Sequence, residues 1–211
     1  MTKTGTIAGV ILCGGRSSRM GGGDKSLLTL GGKPILARII GRLQPQLSAV
    51  AINANGDPKR FAAFSLPIIA DNLPDFPGPL AGILAGMDWA SAVPGCSHLV
   101  TVAGDTPFFP HDLVQHLTAA FLGAPRSIAV ASSNERRHPV FALWPTALRD
   151  DLAFVLKSGN AKVNTFIDRH GAIDVDFPLT TAQGVSFDPF FNLNTSGDLE
   201  EAQRISEALG E

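Results

Sequence analysis

The residues best equipped for chemistry are gathered in one stretch, residues 7–25, which reads IAGVILCGGRSSRMGGGDK. It opens as an apolar, β-branched run of strand length, residues 7–12. It then breaks into Gly14-Gly15, Arg16, Arg19, the triplet Gly21-Gly22-Gly23 and Asp24-Lys25. Glycine admits positive φ and lets the backbone approach a ligand with no Cβ in between. Successive N–H groups in such a loop can turn inward on an anion, and the interleaved cations add charge. Arg19 serves as a planar fork and Lys25 as a point charge. The stretch is expected to hold phosphate. Neither of the two best-known phosphate loops fits it: Asp24 stands where the P-loop needs a glycine before Lys-Ser, and Ser26 stands where G-x-G-x-x-G needs its third glycine.

Three further polar residues follow short apolar runs. Asn53 ends the run 49–54, Asp71 follows 67–70, and Asp105 follows 99–103 in Gly104-Asp105-Thr106-Pro107. Asp105 has two readings. A single carboxylate facing a phosphate loop matches the way Mg²⁺ is held, by one or two carboxylates plus phosphate oxygens and water. An aspartate before Thr-Pro-Phe also suits a turn or helix start. Asp71 shares that ambiguity, with a base or ribose contact as the preferred role. Asn53 either meets a purine edge or ends its strand. A second basic cluster, Arg136-Arg137-His138, offers a grip for another phosphate-bearing substrate, or else a solvated turn. His98, His111, His116 and His170 show no metal-ligand spacing.

Elements must carry these residues to one place. Apolar residues at helical spacing predict helices over 34–47, from Pro79-Leu80-Ala81-Gly82 to about 92, over 110–122, 145–156 and 162–169, and from about 198 to 209 behind a Thr195 or Ser196 cap. The small residues Ala81, Gly82, Ala85 and Gly86 permit close packing on a sheet or ligand. Strands are expected at 127–131 and 140–144 around a polar turn 132–137, at 173–177, and at the end of 189–194. Strands alternating with helices over the first half imply βαβ units and a mostly parallel sheet. Ligands bind such sheets beyond the carboxyl ends of the strands. The loop, Asn53, Asp71 and Asp105 all fall at those ends.

The whole chain sets bounds. Its 211 residues suit one domain, 1–211, with no internal repeat or linker; 45% are hydrophobic and 17% charged, ample for a core. A net charge of −2 gives no footprint for nucleic acid. The cations cluster locally instead, as a small polyanion would require. Cys13 and Cys96 are too few for a disulfide framework, and Cys13 reads as a small buried thiol. No segment reaches the roughly 18 unbroken apolar residues of a membrane span. No signal-peptide pattern opens the chain, so a soluble, cytoplasmic protein is expected, with no membrane partner.

The opening signature, carried by Leu12, Gly14, Gly15, Ser17, Arg19, Met20, Gly21 and Lys25, resembles that of nucleotidyltransferases moving NMP from an NTP to a phosphate. With Asn53, Asp71, Pro79-Leu80-Ala81-Gly82, Gly104-Asp105-Thr106-Pro107, His138-Pro139-Val140-Phe141-Ala142-Leu143 and Asn192-Leu193-Asn194-Thr195, the chain resembles the molybdenum cofactor guanylyltransferases, the MobA family, over essentially its full length. The resemblance implies an α/β, single-domain, Rossmann-like nucleotidyltransferase fold, with a mostly parallel central sheet and helices on both faces. It implies GTP as donor, Mg²⁺ on Asp105 and the molybdenum-bearing molybdopterin cofactor as acceptor. It places nucleotide contacts at Leu12, Cys13, Gly14, Gly15, Lys25, Asn53, Asp71 and Asp105, and catalytic roles on Arg19, Lys25 and Asp105. The acceptor is expected on Arg136, Arg137, His138, Asn192 and Asn194, so that residues 1–110 form a nucleotide half and 111–211 an acceptor half. A monomer is expected, handing on to other cofactor-biosynthesis proteins and apo-molybdoenzymes. Three features depart from the pattern: Cys13 replaces an alanine, the triple glycine is unusually rich, and Thr195-Ser196-Gly197-Asp198 replaces T-P-E-D. A CTP-using or sugar-phosphate relative, and a silent nucleotide-binding regulator, remain the alternatives.

Overall fold

The apolar runs that end in polar residues become strands of one sheet in the computed structural model, which describes residues 6–14, 24–73, 78–121, 126–159 and 162–211. The chain runs β1 (Thr6–Leu12), a small hairpin β2 and β3 (Thr29–Leu30, Lys33–Pro34), α1 (Ile35–Leu43), β4 (Ala49–Asn53), β5 (Ile68–Ile69), α2 (Pro79–Ala90) and β6 (Cys96–Ala103). It continues with α3 (Leu113–Ala120), β7 (Ile128–Ser133), β8 (Arg136–Pro145), α4 (Arg149–Lys157), α5 (Val163–Arg169) and β9 (Ala172–Asp176). A second hairpin, β10 and β11 (Thr180–Ala182, Val185–Phe187), precedes α6 (Ser196–Leu209).

Seven strands pair in the order β5-β4-β1-β6-β8-β7-β9. β1 lies parallel to β4 and β6, β4 to β5, and β7 to β9, whereas β8 is antiparallel to both its neighbours. Side chains alternate between two faces, as a period of two requires. Ile11, Ile52, Val100, Val102 and Leu143 pack with Ile35, Leu36 and Ile39 of α1, Leu113 and Leu117 of α3 and Ile205 of α6. Val10, Leu99, Val130 and Trp144 pack with Leu80, Ile83 and Met87 of α2, Leu152 of α4 and Phe166 of α5. Both faces are thus covered, as a mostly parallel sheet needs. Each fully buried aliphatic side chain contributes about 1.5–3 kcal/mol.

The seam between β6 and β8 joins the first half of the chain to the second. Thr101, fully buried on β6, donates to the Val140 carbonyl (2.6 Å) and accepts from the indole N–H of Trp144 (2.9 Å). Both of its polar needs are met inside the core, so the hydroxyl pins the pairing without a desolvation cost. Beyond that seam β8 is irregular: residues 138–141 lie across from the single Ala131 of β7, between the pairs Ser132–Arg137 and Val130–Ala142.

Three expectations need correction. The polar turn is shorter than 132–137: only Asn134 and Glu135 make it, both at positive φ (46° and 61°), and Arg136 and Arg137 already belong to β8. Residues 189–194 form no strand; Phe190 and Leu193 are buried as wedges instead of pairing with a neighbour. The helix expected from 145 begins later, because Pro145 closes β8 and a 3₁₀ turn (Thr146–Leu148) leads into α4. The expected cap of the last helix is Thr195, in a reciprocal box with Asp198. Among the described residues no helix is long and apolar enough to cross a membrane.

Candidate active site

β1, β4 and β6 are parallel neighbours, so their carboxyl ends share one edge, and Leu12 stands level with Asn53 on one side and Ala103 on the other. Two backbone bonds extend the pairing past the strands: Cys13 N–H to the Asn53 carbonyl (2.9 Å) and Gly104 N–H to the Leu12 carbonyl (3.0 Å). Gly104 is needed for this approach, since a Cβ there would lie 2.6 Å from Cys13 Sγ. Gly15 and Arg19, with Arg16, Ser17, Met20 and Gly21 to Gly23, lie outside the described residues.

On one side of this edge Asn53 is buried, and its amide donates to the Ile69 carbonyl (3.2 Å) and to Asp71 Oδ1 (2.9 Å). Asn55 donates to the other carboxylate oxygen, Oδ2 (2.7 Å), and its side-chain Oδ1 accepts from the Asp71 N–H (2.9 Å). Two amides therefore lock the Asp71 carboxylate while leaving lone pairs on both oxygens for a donor-rich ligand. Asn55 is absent from the expected set; its signal was the Asn-Ala-Asn spacing, which puts two amides on one side of the chain at a strand end.

Helix α2 closes over this group. Gly82 is the contact point: a Cβ there would stand 2.3 Å from Asn53 Oδ1 and 2.9 Å from Leu12 Cδ2. Alanine would gain about 1 kcal/mol of helix propensity but lose about 1–3 kcal/mol to overpacking, and Asn53 would have to move. If Asn53 meets the nucleotide as the sequence leads one to expect, Gly82→Ala should weaken nucleotide binding about tenfold with little change in melting temperature. Calorimetric titration checks this, and an unchanged affinity would separate Asn53 from the nucleotide.

On the other side Lys25 opens a 3₁₀ turn (Lys25–Leu27), and its Nζ donates to Asn194 Oδ1 (3.1 Å). The neighbouring Asp24 is gripped by Arg60 of the 3₁₀ segment Pro58–Phe64. The same guanidinium donates to the Asp57 and Asn55 carbonyls and lies over the Phe61 ring, 4.6 Å from its centroid. Arg60 thereby ties the asparagine–aspartate group to the lysine turn. It was not anticipated, because nothing local in Pro58-Lys59-Arg60 marks it apart from a surface cation.

Asp105 sits in the turn after β6, where its carbonyl accepts from the Leu193 N–H (3.0 Å) and Thr106 Oγ1 lies 3.4 Å from both Asp105 Oδ1 and Asn192 Oδ1. No helix starts here, since α3 does not begin until Leu113, so Asp105 is no helix cap. Burial raises its carboxyl above the usual carboxylate range, and the Lys25 charge opposes that shift. A largely desolvated carboxylate with a single lysine opposing its burial shift is short of positive charge. Among the described residues no three His, Cys, Asp or Glu side chains gather into a metal cluster. The donor set thus fits a hard cation that takes most of its ligands from a substrate and from water.

Cys13 is partly buried behind the edge, and burial pushes its thiol up to about 12. Thiolate is the reacting form, so alkylation of Cys13 in the folded protein at pH 8 should run about a hundredfold or more below that of free cysteine. Mass-spectrometric labelling rates measure this.

The second basic cluster is divided by its strand. Arg136 is exposed at the start of β8. Arg137 donates to both oxygens of Asp174 (2.6 and 2.9 Å) and to Asp168 (2.7 Å), so its charge is already matched. His138 lies beneath, its Nε2 2.7 Å from Ser133 Oγ and its ring stacked on Phe190 at 4.5 Å. Burial holds its pKa below the usual histidine range, against the pull of Asp188. The segment 188–194 brings Asn192 to Thr106, the Leu193 N–H to the Asp105 carbonyl and Asn194 to Lys25, at the junction of the two groups of expected residues.

Residues 9–173 match the family described as MobA-like NTP transferase domain. The chain is 52% identical over 204 residues to a molybdenum cofactor guanylyltransferase of Mesorhizobium japonicum, covering 96% of this chain and 97% of the relative. It is 46% identical over 207 residues to one from a Bradyrhizobium species, covering 97% and 95%. In structure it is similar to molybdopterin-guanine dinucleotide biosynthesis protein A of Archaeoglobus fulgidus, with a TM-score of 0.72 at 24% identity over 95% of this chain and 98% of that one. Similarity of this extent, on a fold whose strand ends gather Asn53, Asp71, Lys25 and Asp105, has one meaning: the chain belongs to the MobA-like nucleotidyltransferases, in the molybdenum cofactor guanylyltransferase family.

Proposed function

We propose that the protein transfers GMP from GTP to the terminal phosphate of the molybdenum-bearing molybdopterin cofactor, releasing pyrophosphate, and that it acts as a monomer in the cytoplasm. The observation that carries this reading is the meeting of Lys25, Asp105 and Asn194 beside the locked Asn53–Asp71–Asn55 group at one edge of the sheet. One group offers charge for phosphates, and the other offers fixed acceptors for the N–H groups of a base or the hydroxyls of a ribose.

The acceptor phosphate, a monoester, is largely ionised near neutral pH and needs no strong general base. What the protein must do is align the two phosphates and neutralise charge as it builds on the phosphoryl oxygens. Lys25 supplies one such charge, held in line by Asn194. Asp105 would hold Mg²⁺ against the phosphates, and the ion, when bound, supplies charge neutralisation and orientation. Arg19 is assigned to the same phosphates. Leu12, Cys13, Gly14 and Gly15 would offer backbone groups to the nucleotide, and residues 1–110 make up the nucleotide half. The acceptor takes the side of Arg136, His138, Asn192 and Asn194, with Arg137 anchoring β8 to α5 and β9.

The decisive test is pyrophosphate release from GTP on adding molybdenum-loaded molybdopterin, with CTP run beside it. GTP-dependent release is expected, and release with CTP alone would overturn the choice of base. In the same assay Arg136→Ala should raise the acceptor requirement about fivefold and leave the GTP requirement unchanged. An equal rise for both substrates would move the acceptor elsewhere.

A further inference from the structure

Three polar side chains from three segments meet beneath the acceptor side. His138 Nε2 on β8 lies 2.7 Å from Ser133 Oγ at the end of β7. Ser133 Oγ donates to Asp188 Oδ1 (2.8 Å), and that same oxygen accepts from the Phe190 N–H (2.8 Å). Ser133 is fully buried, so its hydroxyl has no water to turn to and is committed to these two partners. A hydroxyl has a single proton. With that proton given to Asp188, Ser133 Oγ can only accept from the ring, so His138 must carry hydrogen on Nε2. Among the described residues its Nδ1 has no hydrogen-bond partner, and it is an acceptor in the neutral ring or a donor in the charged one.

The orientation of the ring is fixed as well. His138 stacks on Phe190 with an interplanar angle of 26°, and Phe190 is held edge-on by Phe141 and Phe177. The bulged stretch of β8 is what frees His138 to reach this position, because four residues there oppose one on β7. Asp188 has a further hold on the site. Its contact with the Phe190 amide, and the Phe191 N–H bond to its carbonyl (3.0 Å), form the turn from which Asn192 and Asn194 reach Thr106 and Lys25.

We propose that Ser133 and Asp188 are positioning residues for the phosphate-bearing acceptor. Through Ser133 the carboxylate sets the tautomer and orientation of His138, and through the Phe190 amide it sets the approach of Asn192 and Asn194. The proposal rests on the functional reading above, and it adds two residues, neither of which touches a reacting atom.

The test measures KM for molybdenum-loaded molybdopterin and for GTP separately, with kcat, in the wild type, Ser133→Ala, His138→Ala and the double variant. Ser133→Ala should raise the acceptor KM about five- to tenfold and keep the GTP KM within about twofold. Because Ser133 acts through the ring, the double variant should be no worse than His138→Ala alone. A matching rise for GTP, an unchanged acceptor KM, or multiplication of the two single effects would overturn the proposal. Asp188→Asn keeps an oxygen for both hydrogen bonds and should hold the acceptor KM within about threefold, whereas Asp188→Ala should not. That pair decides the matter where alanine at the buried serine does not fold, and equal losses in both would sink the idea. Wild-type turnover in the same assay reports on the functional reading alone. Its absence refutes that reading, while normal turnover with KM values that move together refutes only the positioning.

Discussion

Asp105→Asn should cut turnover by about 100- to 1,000-fold, or about 3–4 kcal/mol, and leave the fold intact. Asparagine keeps the size of the side chain and an oxygen for Thr106, and it leaves the backbone bond to Leu193 untouched. What it removes is a negative charge that burial already disfavours. Stability should therefore hold or rise slightly, because the cost of burying the carboxylate exceeds what Lys25 and Thr106 return. The same charge is the only carboxylate that the turn after β6 offers to a hard cation. Two measurements check this: the melting temperature, and pyrophosphate release across a range of Mg²⁺ concentrations. A variant that turns over near the normal rate at limiting Mg²⁺ would remove Asp105 from the metal site.

On the proposed assignment, in which the ammonium meets phosphate in both ground and transition states, Lys25→Ala should lose about 2–4 kcal/mol, spread over GTP binding and turnover. The structure adds a reason for the size of the effect. Lys25 is aimed by Asn194, so its reach is set before a nucleotide arrives and little ordering remains to be done on binding. Asn194 also loses its donor in this variant, which couples the loss to the acceptor side. Lys25→Arg should rescue poorly, since a planar fork does not replace a compact charge seated on one amide oxygen. Calorimetry for GTP and single-turnover rates separate the two components. If both stay within about a factor of three, or under 1 kcal/mol, Lys25 is a surface residue and the phosphate loop has been misread.

What the sequence made legible was whatever depends on short runs and on parallel-sheet geometry. Ile7 to Leu12, Ala49 to Asn53 and Leu99 to Ala103 are apolar and strand-length, and once they lie parallel their polar successors must share an edge. The close seat of α2 was legible too, from Gly82 and Gly86, whose absent side chains make room for Asn53 and for Leu99 and Val10. Pairings across long separations were not. Arg137 looked like a free cation beside Arg136, and only the fold brings Asp168 and Asp174 to it. Arg60 bears on the site solely through partners that no local pattern names. Residues 189–194 carry the apolar density of a strand, but Phe190 is worth more as a wedge against His138 and Phe141 than as one more rung of a ladder.

The pinned seam between β6 and β8 has a mechanical meaning for a two-substrate enzyme. Among the described residues, the groups assigned to the donor stand on β1, β4, β5 and β6 or just beyond them, while Arg136 and His138 ride on β8. On the proposed assignment, the distance from Arg136 and His138 to the donor groups would be set by the register of one strand pair, with Thr101 as its pin. Sliding that pair by a single residue would carry the acceptor groups about 3.3 Å along the strand and turn each to the opposite face. An error of about 1 Å already costs a hundredfold when two reactants must meet in line. On that assignment a hydroxyl buried in the core, away from the strand ends, would act as the gauge block of the reaction.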